Sequence, residues 1–195
     1  MKKIVYNLNL AIVGSLNSRK KRLLDVLESV VLEQREKRNF REFQILYHHI
    51  MFKLKIFTSA SFKELKKKIS DVQRLDGLMI VINVYERKFF NSSLDKKIES
   101  LKGTIEFENY KILVASEQQA FAERYKIREN ELIQKAKDLD FIYCFKIDNQ
   151  TDNGDILGIF HKILEDSILK FENSNPELFE LAKIYGKHVE EKEEI

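Results

Sequence analysis

Apolar residues recur along this chain with two different periods, and the switching between them outlines the architecture. Residues 4–13 form the first apolar block, with Leu8, Leu10, Ile12 and Val13 in a near-continuous run that stops at Gly14. A strand covered on both faces has that pattern. After a short polar stretch, Leu23, Leu24, Leu27, Val30 and Val31 follow at helical spacing. The polar segment 33–39 then leads into two runs, 43–48 and 51–57. The second alternates at Lys53 and Lys55, and the pair reads as hairpin-linked strands. Residues 62–75 are helical and basic on one side, and Gly77 opens LMIVINV (78–84), the most apolar strand. A helix over 89–101, a strand over 110–115, a helix over 131–139 and a strand over 141–147 continue the alternation. In the loop QTDNGD, Asp152 or Asn153 is placed to cap a helix over 156–169. Pro176 starts a last amphipathic helix carrying Leu178, Phe179, Leu181, Ala182 and Tyr185.

Alternating strands and helices predict an α/β domain with a mostly parallel sheet, the early hairpin supplying one antiparallel strand. Residues 1–172 read as that domain, and 173–195 as a C-terminal helix with an acidic tail. At 195 residues, 44% hydrophobic and 33% charged, the chain has the composition of a soluble globular protein. The net charge of +3 is too even a balance to point to nucleic acid. A single cysteine, Cys144, excludes an intramolecular disulfide and fits a reducing compartment. It lies between Tyr143 and Phe145 and reads as a core thiol. No apolar run approaches the roughly 20 residues that span a bilayer, no secretory signal is recognisable, and no lipid-anchor motif is present. The expectation is a cytoplasmic protein. Only 6 glycines serve the whole chain, few for a protein whose loops would cradle phosphates.

Three phrases, LNLAIVGS at 8–15, DGLMIVINVYERKFF at 76–90 and KILVASEQQA at 111–120, together with the order of elements, resemble the small GTPases of the Ras superfamily over about residues 4–170. The resemblance implies a six-stranded, mostly parallel sheet with helices on both faces, one antiparallel strand, and an added C-terminal helix. A response-regulator or flavodoxin-like domain is the rival fold. It has no need of the early hairpin, and a receiver would have acidic residues where Gly14 and Ser15 stand.

The motifs that carry the family's chemistry are largely replaced. A phosphate loop GxxxxGK[ST] cradles phosphates on backbone amides, with its lysine on the outer phosphates and its hydroxyl on magnesium. The matching stretch is Gly14, Ser15, Leu16, Asn17, Ser18, Arg19, Lys20 and Lys21. Gly14 and Lys20 keep their places, but Arg19 stands at the second glycine and Lys21, which repels magnesium, at the metal-binding hydroxyl. Thr58-Ser59-Ala60-Ser61 replaces the DxxG motif, and Phe62 replaces the glutamine that orients water. Ser116-Glu117-Gln118-Gln119 replaces the guanine-reading [NT]KxD. The stretch around Lys146 to Asn149 lacks the last base-side motif, and no threonine lies between Glu33 and Tyr47.

The resemblance therefore implies a GTPase fold that has lost GTP binding and hydrolysis and serves as a protein-interaction or regulatory module. The alternative is a divergent GTP-binding protein with weak binding and slow hydrolysis. Gly14, Ser15, Asn17, Ser18, Arg19, Lys20 and Lys21 are the candidate nucleotide- or anion-binding residues; no catalytic residue and no metal ligand is assigned. GTP or GDP is not expected as a cofactor, nor is magnesium. The run Arg19-Lys20-Lys21-Arg22 opposes a helix macrodipole, so either an anionic ligand offsets it or solvent screens it. A second basic cluster, Lys63 with Lys66, Lys67 and Lys68, occupies the switch-like region. Protein partners are expected on that region, residues 40–68, where Phe40, Phe43, Tyr47 and Phe52 cluster, or on the C-terminal helix. His48 and His49 lack companions at zinc-ligand spacing.

Overall fold

In the computed structural model, residues 3–15, 18–91, 94–108, 110–117 and 126–193 are described. The elements run β1 (Tyr6–Gly14), α1 (Lys20–Glu28), β2 (Glu33–Glu36), β3 (Arg41–Tyr47), β4 (Ile50–Ser59), α2 (Phe62–Lys68), β5 (Arg74–Leu75) and β6 (Gly77–Asn83). They continue with α3 (Arg87–Asn91), α4 (Leu94–Lys102), β7 (Glu106–Phe107), β8 (Lys111–Ser116), α5 (Glu129–Asp138), β9 (Tyr143–Ile147), α6 (Asn153–Ser174) and α7 (Pro176–Glu193). The main sheet has the order β2-β3-β4-β1-β6-β8-β9, and β5 and β7 pair separately.

The α/β class and the mostly parallel sheet are as the apolar pattern predicts. Only β3 runs against the other strands of the main sheet, because it is antiparallel to both β4 and β2. The strand count differs: the sheet has 7 strands rather than six. The extra one, β2, lies in the polar segment 33–39, where every strand residue is exposed and no apolar alternation marks it. Its charges cover the outer edge of β3, a common protection for a sheet edge. β6, in contrast, is buried at all its residues, as a central parallel strand must be.

Two apolar clusters fill the two faces. One gathers Leu23, Leu27, Phe43, Phe52, Leu54, Ile156, Phe160 and Phe179 beneath α1, α6 and α7. The other gathers Phe57, Leu65, Ile80, Ile82, Leu94, Ile98 and Leu132 beneath α2, α4 and α5. Helices on both faces are thus needed to bury a sheet that is apolar on both sides.

Helix ends differ from the sequence expectation where local chemistry intervenes. α1 stops at Glu28, leaving Val30 exposed rather than on the helix face. α2 stops at Lys68, well short of 75, and the chain turns to form β5. Of the helix expected over 89–101, the described residues form α3 and α4, and residues 92–93 lie outside the described residues. Asp152 caps α6, accepting from the Asp155 amide at 2.7 Å, and α6 runs on to Ser174, past the boundary expected at 172. α7 begins at Pro176 and packs on β4 and α6.

Candidate functional site

Ligands of open α/β sheets lie at the carboxyl ends of the strands. Here that edge is formed by Gly14, Ser59, Asn83, Ser116 and Ile147, with Val13 beside Ser59 and Asn83 beside Ser116. Ser18, Ser59, Asn83 and Ser116 are buried polar residues at this edge or next to it. All but one of the candidate residues from the loop 14–21 are described and stand here; Asn17 lies outside the described residues.

Gly14 owes its place to packing. A Cβ there would lie 2.2 Å from the carbonyl oxygen of Val81 on β6, so no larger residue fits without parting two central strands. The Ser18 hydroxyl and amide both donate to the carbonyl of Ser15, at 2.7 and 3.2 Å, which closes the loop on itself. The Ser15 hydroxyl is shielded from solvent and has no hydrogen-bond partner among the described residues.

The basic run that follows is divided among distinct tasks. Lys20 turns back, and its ammonium donates to the carbonyls of Gly14 and Ser15. Burial pushes the Lys20 ammonium down to about 8, with Glu86 and Glu64 acting in the opposite sense. Arg19 crosses the strand ends: its Nε and one Nη donate to the carbonyl of Glu117 at 3.2 and 3.0 Å, and the same Nη donates to Asn149 Oδ1. Arg22 donates to the carbonyl of Asp148 at 2.6 Å and to that of Thr151. Lys21 alone of the four is exposed. The carbonyls that receive Arg19 and Arg22 are partial negative charges, so they offset the macrodipole cost that a run of cations incurs at the start of α1.

The polar residues that follow β4 and β8 are also bound up in internal contacts. Glu64 accepts from the Ser59 hydroxyl at 3.0 Å and the Ala60 amide at 3.1 Å, and pairs with Lys68 at 3.0 Å. Lys68 first, then these donors, hold the Glu64 carboxyl below the usual range. The stretch Thr58-Ser59-Ala60-Ser61 is therefore a capped helix entry, with Ser61 accepting from the Glu64 amide at 3.2 Å. Glu117 receives Lys126 at 2.6 Å, Tyr85 at 3.1 Å and Lys146 at 3.5 Å. Lys126 above all lowers its carboxyl, while burial works the other way. Gln118 and Gln119 lie outside the described residues.

No protein-family model matches this sequence. No curated protein is detectably similar to it either.

The remaining candidates sort as follows. Lys66 donates to Ser100 Oγ at 2.6 Å and Lys68 to the Thr58 carbonyl at 2.8 Å, whereas Lys63 and Lys67 face solvent, so the second basic cluster is split. Phe43 and Phe52 are core residues; Phe40 lies against Phe57, with Lys55 over its ring. His48 and His49 form the β3–β4 turn, both with positive φ, and His49 Nδ1 is 2.7 Å from Glu190 on α7. Among the described residues no three His, Cys, Asp or Glu side chains gather as a metal site. Cys144 is exposed on β9, the last strand of the sheet, and is not the core thiol that its apolar neighbours suggest. The pleat sets Cys144 on the α5 face, opposite Tyr143 and Phe145, where it lines a cavity with Leu132 and Ile133. The residues that sequence reasoning missed are Asp148, Asn149, Thr151 and Glu64. Their polar clusters were visible, but their partners lie elsewhere in the chain.

Proposed function

We propose that this chain is a GTPase-like protein that no longer cycles on GTP and acts as a protein-interaction module. One observation carries the reading. Arg19 and Lys20, the cations at the heart of the remnant phosphate loop, direct their charge at the protein's own carbonyls. In that arrangement Lys20 caps the loop that would receive phosphates, and Arg19 ties the start of α1 to the loops after β8 and β9. A magnesium nucleotide fits these residues poorly: Lys21 stands where a hydroxyl ligand is needed, and Glu64 and Glu117 already accept from several donors. The order of elements, with its early hairpin and single reversed strand, supports the fold side of the proposal. With the nucleotide chemistry set aside, surfaces remain as the working parts.

The test is direct. Protein purified without added nucleotide is denatured and its supernatant assayed for released nucleotide. The native protein is then titrated with GTP, GDP and ATP, with and without magnesium. No released nucleotide and no binding at millimolar concentrations is the expected outcome. Magnesium-dependent binding of GTP in the micromolar range overturns the proposal.

A further inference from the structure

We propose that the cavity between α5, β8 and β9 binds a small amphipathic carboxylate, an aliphatic chain carrying one anionic group. This goes beyond the interaction reading and does not rest on it. The cavity lies on the α5 face of the sheet, whereas the loop 14–21 leads into α1 on the opposite face. Its volume, about 440 Å³, falls within the roughly 300–1,000 Å³ of small-molecule sites. Small side chains make the room. Ala115 pairs with Ile82 on β6, and Cys144 with Leu113 on β8, so each is smaller than the residue beside it under α5. Val84, Ala115, Ile127 and Leu132 form the floor and are each no more than 5% exposed. Ile133, 43% exposed, and Cys144 line the open side.

Charge selects the occupant. Lys126, Arg128 and Lys146 line the same cavity, and Arg128 and Lys146 are exposed at its rim. Lys126 and Lys146 both approach Glu117, at 2.6 and 3.5 Å, so two ammoniums share one carboxylate to which the Tyr85 hydroxyl also donates. Glu129 is the only carboxylate in the lining among the described residues, and Glu131, which caps α5, is engaged by Arg87 at 3.1 Å. The rim therefore keeps an excess of positive charge, and the positive end of α5 adds to it. A carboxylate there gains charge-assisted hydrogen bonds from Arg128 and Lys146, while its chain lies on the apolar floor and leaves water. An organic cation of the same length meets repulsion, an alcohol forgoes the charge, and acetate has no chain to bury.

Cys144 is the single cysteine of the chain, so an uncharged thiol reagent, 4,4′-dithiodipyridine, reports on this cavity alone. Octanoate at about 2 mM, within the affinity that about ten non-hydrogen atoms command, is expected to slow that reaction at least about twofold. Octanol and octyltrimethylammonium at the same concentration are expected to slow it far less, and acetate not at all. Isothermal titration calorimetry of octanoate into the protein is expected to give one site of matching affinity. Arg128→Glu is expected to weaken octanoate at least about threefold. Ile133→Glu, which puts a carboxylate on the apolar wall, is expected to weaken it at least about tenfold. Far-UV circular dichroism checks that each variant is folded; should Ile133→Glu fail, Ile133→Ser replaces it. Wild type that binds no octanoate, or binds it without slowing Cys144, overturns the proposal. So does octanol or octyltrimethylammonium protecting as well as octanoate, or an Arg128→Glu chain that binds octanoate like wild type.

Discussion

Two glycines in helices offer opposite responses to the same substitution. In a helix interior, glycine is about 1 kcal/mol less favourable than alanine, so Gly→Ala ordinarily stabilises. Gly158 in α6 has no heavy atom within 4 Å of an added Cβ, and Gly158→Ala should raise stability by roughly 0.5–1 kcal/mol. Gly186 in α7 is the reverse case. Its added Cβ would stand 1.8 Å from the carbonyl oxygen of His49 and 2.4 Å from the carbonyl carbon. That carbonyl belongs to a turn in which His48 and His49 have φ of 49° and 60°, so the turn has little freedom to yield. The helix must retreat until that 1.8 Å separation opens to at least the 3.4 Å of an ordinary contact. Retreat loosens the grip of Glu190 on His49 and the edge contact of Phe179 on Phe171, whose ring centroids are 5.6 Å apart. Overpacking costs about 1–3 kcal/mol and partial exposure of Phe179 adds to it, so Gly186→Ala should destabilise by roughly 2–3 kcal/mol despite its better helix propensity. Urea unfolding of wild type and both variants, followed by far-UV circular dichroism at neutral pH, gives the two shifts directly. A Gly186→Ala chain as stable as wild type would refute the close packing of α7 on the hairpin turn.

Three further outcomes follow from the basic run and the free strand edge. Arg22→Ala removes donors to two carbonyls of the loop after β9 and should cost about 1.5–3 kcal/mol, with faster amide exchange at residues 148–152. Unchanged exchange there would show that Arg22 does not hold the loop. The Lys20 ammonium titrates near 8 in the folded chain against 10.5 when unfolded, so the unfolded chain binds more protons between those values. Its contribution to stability therefore rises with pH across that window, by roughly 1–2 kcal/mol after discounting for its solvent contact. The stability of wild type minus that of Lys20→Met should climb from pH 8 to pH 10.5, and a flat difference contradicts the buried ammonium. Cys144 should react with a disulfide reagent in the folded chain without denaturant, and faster above pH 9, since desolvation by its surroundings and then Glu129 raise its thiol. A thiol that reacts only on unfolding refutes its placement on an open strand.

The alternation of strands and helices was legible in the sequence because both periods are local. A buried parallel strand such as β6 must be apolar throughout, and a helix on a sheet must be apolar every third or fourth residue. Caps were legible for the same reason: Asp152 sits three residues from the amide it accepts. β2 was not, because an exposed edge strand needs no apolar residue and takes its identity from pairing with β3. The exposure of Cys144 was equally hidden, since its neighbours are apolar whether its strand lies inside the sheet or at the end of it.

By itself, then, the sequence determined the class of fold, the position of the hairpin, and the basic run that follows Gly14. Only the tertiary structure decided what those residues do. Arg19 reaches acceptors 98 and 130 residues away, and Arg22 acceptors 126 and 129 away. A charge run alone reads equally as a binding site or a solvated face. Its partners are backbone carbonyls, which every residue carries and no motif can announce. Folding brings them to the same sheet edge, where burial strengthens a charge-assisted hydrogen bond and makes an unmet charge costly.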